Sequence, residues 1–180
     1  MRITFSSFCV AASLAVAACA NPATKDSKSA DVDTHLVMGD IPASDPRELA
    51  EFKSATSKLY QMKEKAFREN KVDPIVKRFY AANVVSVGPS GKPEVGREAL
   101  TKGYNEVVPR YEVKVEPVYS YVNGNAGWDW ANFRVKPKDP KSTEKPFSFV
   151  ILFLWSKVNG QWVSAGDAYV VGEFPKTAAK

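Results

Sequence analysis

The chain is poor in the side chains that do metal, thiol and imidazole chemistry. Among its 180 residues there is one histidine and there are two cysteines. Cys9 and Cys19 both fall within the first twenty residues, so removal of a leader leaves at most Cys19 and no intramolecular disulfide. The single histidine, His35, stands in a polar stretch with no second histidine or free cysteine beside it. No zinc-like, Cys-His or Ser-His-Asp constellation can be assembled from such a set, and no metal site is expected. The segment Val87-Gly88-Pro89-Ser90-Gly91-Lys92 lacks the glycine spacing and Lys-Ser/Thr ending of a phosphate-binding loop, and no motif implies a cofactor. The net charge of +5 is spread thinly. No lysine or arginine block is dense enough for a nucleic-acid footprint, so no nucleic-acid partner is expected. Much of the excess, including Lys53, Lys58, Lys63 and Lys65, reads as the solvated side of a helix. Internal repeats and coiled-coil heptads are also missing.

What is present begins with residues 1–18, a leader by charge, length and composition. Arg2 precedes the apolar and small-residue run ITFSSFCVAASLAVAA, which is too short and too weakly apolar to span a membrane. Val16-Ala17-Ala18-Cys19 is similar to the bacterial lipobox, which implies cleavage before Cys19 and lipidation of that cysteine. Ordinary cleavage after Ala20 is the competing reading. The lipobox likeness implies a lipoprotein of the cell envelope, anchored to a membrane and facing the periplasm. Residues 19–44, rich in Ala, Ser, Asp, Lys and Pro, read as a flexible tether.

The domain is expected over 45–172, with a tail at 173–180. Asp45-Pro46-Arg47-Glu48 is a helix start, with a capping aspartate and proline at the first helical position. Leu49, Phe52, Ala55, Leu59, Met62 and Ala66 then recur at threes and fours and form one apolar stripe to about Glu69, flanked by Tyr60 and Phe67. Asp73-Pro74 repeats the start for a short second helix carrying Phe79 and Tyr80. Val84 to Val87 is a brief strand, and Gly96-Arg97-Glu98-Ala99-Leu100 opens a third helix carrying Tyr104, ended by Pro109.

From Tyr111 onward the period changes from helical to alternating. The strand Ala126 to Lys136 places Trp128 and Trp130 on one face and Asp129 and Phe133 on the other, and Pro117 suggests an edge or bulge in the strand before it. The last hairpin is the clearest element of all. FSFVILFLWSK is apolar on both faces from Phe149 to Trp155, Asn159-Gly160 is a strong turn signal, and QWVSAGDAYVV follows. Strict alternation puts Val163, Ala165, Asp167, Tyr169 and Val171 on one face, with Trp162, Ser164 and Gly166 on the other. The class is α+β, three N-terminal helices against a curved antiparallel sheet.

Three pieces together carry a family resemblance: Asp73 to Pro89, then Gly96 to Leu100, then Trp155-Ser156-Lys157-Val158-Asn159-Gly160-Gln161-Trp162. Over roughly Asp45 to Val171 the chain resembles the NTF2-like superfamily, in its SnoaL-like or ketosteroid-isomerase-like form. That likeness implies a cone-shaped fold, a frequent homodimer through the sheet face, and a pocket whose use varies among isomerases, cyclases, dehydratases and domains without known chemistry. The general-base aspartate of the isomerase pattern falls at Gly88, before Pro89, which counts against isomerase chemistry by that route. Tyr60 stands near the helix-borne tyrosine of the pattern.

The residues themselves offer Asp167, Asp129 and Tyr60 for acid–base chemistry, since a carboxylate in an apolar interior has a raised pKa unless compensated. Tyr60, Phe79, Tyr80, Tyr104, Phe133, Asp167 and Tyr169 are the expected pocket lining, suited to a small, mainly apolar molecule. The same aromatics would equally fill a core. Three functions follow: a non-catalytic binding domain, a pocket enzyme of isomerase or dehydratase type using Asp167 or Asp129, and a homodimeric accessory domain with a filled core.

Overall fold

The computed structural model describes residues 41–175. Asp45 caps the first helix as the sequence indicates, its side chain accepting from the backbone N–H groups of Arg47 and Glu48 at 2.9 Å. Helix α1 runs over Pro46–Arg68 and is followed by a π-helical turn, Ile75–Phe79. Strand β1 (Tyr80–Val87), the short β2 (Pro93–Val95) and helix α2 (Gly96–Val107) come next. Four long strands complete the chain: β3 (Tyr111–Asn123), β4 (Ala126–Pro137), β5 (Phe147–Val158) and β6 (Gln161–Val171). Asn159 and Gly160 both take positive φ, 50° and 75°, as a two-residue hairpin turn whose twist matches its strands requires.

The expected cone of three helices on a curved antiparallel sheet is corrected on three counts. The second helix is a single π-helical turn, leaving two α-helices. The sheet is mixed, because β1 pairs parallel with β6 while all other pairs are antiparallel. It is also open rather than curled shut: the order β2-β1-β6-β5-β4-β3 leaves β2 and β3 as unpaired edges among the described residues. The parallel pair escaped the sequence reading because it joins segments about eighty residues apart with no periodic signal. It depends on Gly166, where an added Cβ would lie 2.7 Å from the Val85 carbonyl oxygen.

The membrane-anchored placement is likewise corrected. Among the described residues no helix is long and apolar enough to cross a membrane. Cys19 and the rest of the expected leader and tether through Asp40 lie outside the described residues.

The core lies between α1, α2 and one face of the sheet. Phe52, Tyr60, Phe67, Ile75, Phe79, Tyr80, Phe153 and Trp155 are its large buried members. Two bulges tune which residues face it. One in β3 between Pro117 and Tyr119 falls where the edge proline sits. The other interrupts the β5–β6 register between Trp155↔Ser164 and Leu154↔Gly166, leaving Ala165 as the extra residue. That bulge breaks strict alternation: Trp162 and Ser164 are buried before it, and Asp167 after it. Trp128 and Trp130 face away from the core, and Phe174 folds back edge-on against Trp130 and Tyr119. Phe174 is held there by Asn132, whose side chain accepts from its N–H at 2.8 Å and donates to its carbonyl at 3.1 Å. The start of the expected tail is therefore docked on the outer sheet face.

Candidate functional site

A cavity of about 420 Å³ opens between α2 and the core face of the sheet. Its walls are apolar, supplied by Leu100 and Val107 from α2, Val113 from β3, Phe133 and Val135 from β4, and Phe149 and Ile151 from β5. Its polar lining includes Lys63 of α1, Tyr80 and Ser86 of β1, Tyr104 of α2 and Asp167 of β6, with Glu94, Tyr111 and Tyr169 also on its wall.

Lys63, Tyr80, Ser86, Tyr104 and Asp167 form one hydrogen-bonded network, buried except for the partly exposed Tyr104. Tyr80 donates to Asp167 Oδ2 at 2.6 Å, and Ser86 donates to Asp167 Oδ1 at 2.5 Å. Lys63 Nζ donates to the Tyr80 hydroxyl at 2.8 Å, and Tyr104 Oη lies 2.8 Å from that same hydroxyl. A phenol has one proton to give and two lone pairs to receive. Since the Tyr80 proton goes to Asp167, its oxygen takes one hydrogen from Lys63 and one from Tyr104. The parallel register that sets Ser86 beside Asp167 brings the serine and the carboxylate together.

The Lys63 head is 1 % exposed as a residue and lies among ring faces, 4.2 Å from the Phe79 centroid, 5.1 Å from Phe153 and 5.3 Å from Tyr104. Burial pushes its ammonium down to about 7, against the opposing pull of Asp167. An amine in such surroundings is partly neutral at physiological pH, unlike a surface lysine. Burial, with the nearby charge of Asp167, pushes both Tyr80 and Tyr104 well above the ordinary phenol value. They remain neutral hydrogen-bonding groups.

Of the residues expected at the pocket, Tyr80, Tyr104, Phe133, Asp167 and Tyr169 line the cavity. Tyr60 and Phe79 are buried outside that lining. Phe79 instead forms part of the aromatic surround of Lys63. Tyr60 donates to Asp129 Oδ2 at 2.8 Å, and Asp129 is fully buried away from the cavity. Burial raises the Asp129 carboxyl above the usual range, offset in part by Ser120, Tyr60, Trp155 and Thr56. Among the described residues, Asp129 Oδ1 and the Trp155 indole N–H, an acceptor and a donor, are both buried and make no hydrogen bond of regular geometry, although Trp155 lies near enough to favour the carboxylate. The two aspartates thus occupy different settings, one on an open cavity and one in a closed polar cluster.

Lys63 and Ser86 are the two members of the hydrogen-bonded network that sequence reasoning missed. Lys63 was expected on a solvated face, yet it is buried. The signal lay in the phase of the helix: Phe52, Thr56, Tyr60, Lys63 and Phe67 follow one another at fours and threes, and all five are buried. The stripe drawn from purely apolar residues was turned slightly away from that face. Gly88 also gains a physical role. A Cβ there would lie 2.7 Å from Tyr169 Oη and 2.9 Å from its ring carbon, so Tyr169 occupies the space that an aspartate at 88 would need. Among the described residues no group of three or more His, Cys, Asp or Glu side chains is placed to hold a metal ion.

Solved structures give the fold its relatives. A ketosteroid isomerase-like protein from Erwinia carotovora atroseptica superposes with a TM-score of 0.55 at 20% identity, covering 69% of this chain and 96% of that one. An NTF2-like superfamily protein from Salmonella enterica gives 0.57 at 14% identity, covering 73% and 99%. The fold is similar to that of these NTF2-like structures. A protein of unknown function with a cystatin-like fold from Nostoc punctiforme gives 0.58 at 15% identity, covering 73% and 96%. No family model matches the chain, and no curated protein matches it. At these identities the likeness concerns the NTF2-like fold alone, and the function has to be argued from the cavity.

Proposed function

We propose that this NTF2-like domain binds a small, mainly apolar molecule carrying one polar group, with the polar end against Lys63, Tyr104 and Asp167. The observation that carries this reading is the make-up of the cavity, whose largely apolar walls meet the hydrogen-bonded Lys63–Tyr80–Asp167 group. Isolated charged groups are costly to bury, and a cluster of them beside open space is more consistent with recognition than with core filling. The volume of about 420 Å³ is within the range of small-molecule sites.

Acid–base chemistry is the second reading, favoured by one specific observation. Asp167 faces the cavity with the Tyr80 hydroxyl donating to it at 2.6 Å, a candidate base held in place by a phenol. In that reading Asp129 and Tyr60 keep a structural role, since neither lines the cavity. The isomerase route that the sequence resemblance implies is not proposed, because Gly88 offers no base.

Ligand-observed NMR on the full chain with benzyl alcohol tests the binding reading. Saturable binding is expected, and it should be lost in Gly103→Leu. Gly103 lines the cavity, and a Cβ there meets nothing within 4 Å, so a leucine would project into open space. No saturable binding of benzyl alcohol, or binding unchanged by Gly103→Leu, would overturn the assignment of this cavity as the site.

A further inference from the structure

Lys63 is the one cation in the polar cluster, and no feature of simple apolar binding calls for it. A structural explanation asks what it stabilises, and the answer is little. Among the described residues its one hydrogen-bond partner is the Tyr80 hydroxyl, although an ammonium has three N–H donors. Asp167, its counter-charge, already has both oxygens engaged by Tyr80 and Ser86. The remaining surroundings of Nζ are aromatic rings. A buried cation with an incomplete shell is a net cost to the fold. Its side chain nonetheless lines the open cavity, where a bound molecule would meet it.

We propose that Lys63 is a nucleophilic amine that condenses with the carbonyl carbon of an apolar aldehyde or ketone held in the cavity. The inference rests on the binding reading above and names its substrate class. Three features of the geometry support it. The amine stands among apolar surfaces that favour its neutral form, the usual way a lysine is activated for imine formation. The apolar walls suit the hydrocarbon part of a carbonyl compound. The Tyr80 hydroxyl bridges Nζ to Asp167, so a proton leaving nitrogen has a path: it passes to the Tyr80 oxygen as the phenolic proton passes to Asp167.

The step balances without any oxidant. The Nζ lone pair forms a bond to the carbonyl carbon while the C=O π pair moves to oxygen; the proton that nitrogen loses to the Tyr80–Asp167 relay is matched by one the relay gives to that oxygen, leaving a neutral carbinolamine. The second N–H proton is transferred the same way to the departing hydroxyl. The C–O bond breaks, water leaves carrying the equivalent of both amine protons, and a C=N bond joins Lys63 to the substrate. Amine plus carbonyl thus gives imine plus water. Tyr80 and Asp167 are positioning and proton-relay groups in this scheme, and Tyr104 fixes the Tyr80 oxygen by donating to it.

The test treats the full-length chain with benzaldehyde and cyanoborohydride at neutral pH and maps the benzylated lysines by peptide mass spectrometry. Lys63 should be labelled faster than Lys53 or Lys58 by at least ~10-fold, because at neutral pH a far smaller fraction of a surface lysine is in the amine form. The labelling rate should rise with pH through about 7, following the Lys63 amine. Lys63→Met should abolish the fast labelling, and Gly103→Leu, which leaves Lys63 in place, should slow it to the surface rate by closing the cavity. Benzyl alcohol, which cannot form an imine, separates the two claims. If Lys63 is labelled no faster than Lys53 while benzyl alcohol still binds, the amine chemistry is overturned and the binding reading stands. If benzyl alcohol also fails to bind, both are overturned.

Discussion

Lys63 concentrates the consequences of burying charge in one side chain. The unfolded chain holds its proton up to about 10.4, while the folded chain releases it near 7 because burial disfavours the ammonium. Between those two values the unfolded state binds more protons, so stability rises with pH. Below about 7 both states are protonated and the full penalty is present. Relative to Lys63→Met, the wild-type chain should gain about 1 kcal/mol per pH unit from pH 7.5 to 9.5, measured by urea denaturation of both proteins across that range. A gap between the two proteins that stays constant with pH would show the amine is not desolvated. Asp129 and Asp167 offer a second contrast at this scale. Asp129→Asn should leave benzyl alcohol affinity within about twofold, since Asp129 lies outside the cavity. Asp167→Asn removes the charge beneath Tyr80 and should change that affinity by at least ~5-fold, a charge-assisted hydrogen bond being worth roughly 1.5–3 kcal/mol. Titration of both variants by ligand-observed NMR checks the pair.

Among the elements, β6 decides how the site is assembled. It pairs with β1 on one side and β5 on the other, and its bulge at Ala165 sets which residues face inward. Gly166→Ala would place a methyl 2.7 Å from the Val85 carbonyl. Backbone has little room to yield there, and overpacking of this kind costs about 1–3 kcal/mol. A lowered denaturation midpoint together with loss of hydrogen-exchange protection in β1 is the expected outcome. Lys138 plays a comparable part at the helix ends. Its ammonium donates to the carbonyls of Phe67 and Val108 and to Asn70 Oδ1, near the C-terminal ends of α1 and α2, where a cation complements unpaired carbonyls. Lys138→Met should cost about 1–2 kcal/mol, read from the same denaturation curves.

The elements were also where the sequence spoke most clearly. Asp45-Pro46, Asn159-Gly160 and Pro117 each act locally, and each sits where its own chemistry places it. The apolar run Phe149–Trp155 could be assigned to a central strand because no neighbour is needed to recognise it. What stayed hidden depends on distant partners: the parallel β1–β6 pair, the inward turn of α1 that buries Lys63, and the bulge that sets Ser164 beside Asp167's face. Asp167, Tyr80 and Tyr104 could be picked out as polar or aromatic residues on apolar faces. Their joining through Lys63 and Ser86 could not, because a lysine and a serine in polar company carry no sequence mark of burial.

At the scale of the whole molecule, two polar clusters lie within one aromatic core and divide its duties. The Asp129–Tyr60 pair is enclosed and ties α1 to β4. The Lys63–Tyr80–Asp167 network ties α1, β1 and β6 together beside open space. The open edges of the sheet leave the cavity bounded chiefly by α2 and the strands, so a residue on α2 such as Gly103 controls its filling. That division predicts that substitutions in the cavity wall outside the polar network, such as Gly103→Leu, change ligand behaviour with small effects on folding, and that substitutions at Asp129 or Tyr60 do the reverse.

The most direct test is a pH titration of the Lys63 side chain by NMR in the full-length chain carrying 13C at the lysine Cε, with Lys63→Met used to assign the signal. The account predicts a midpoint near 7 and a saturable shift of the same signal on adding benzyl alcohol. A midpoint above about 10, the ordinary range of an exposed lysine, with no response to the alcohol would contradict it.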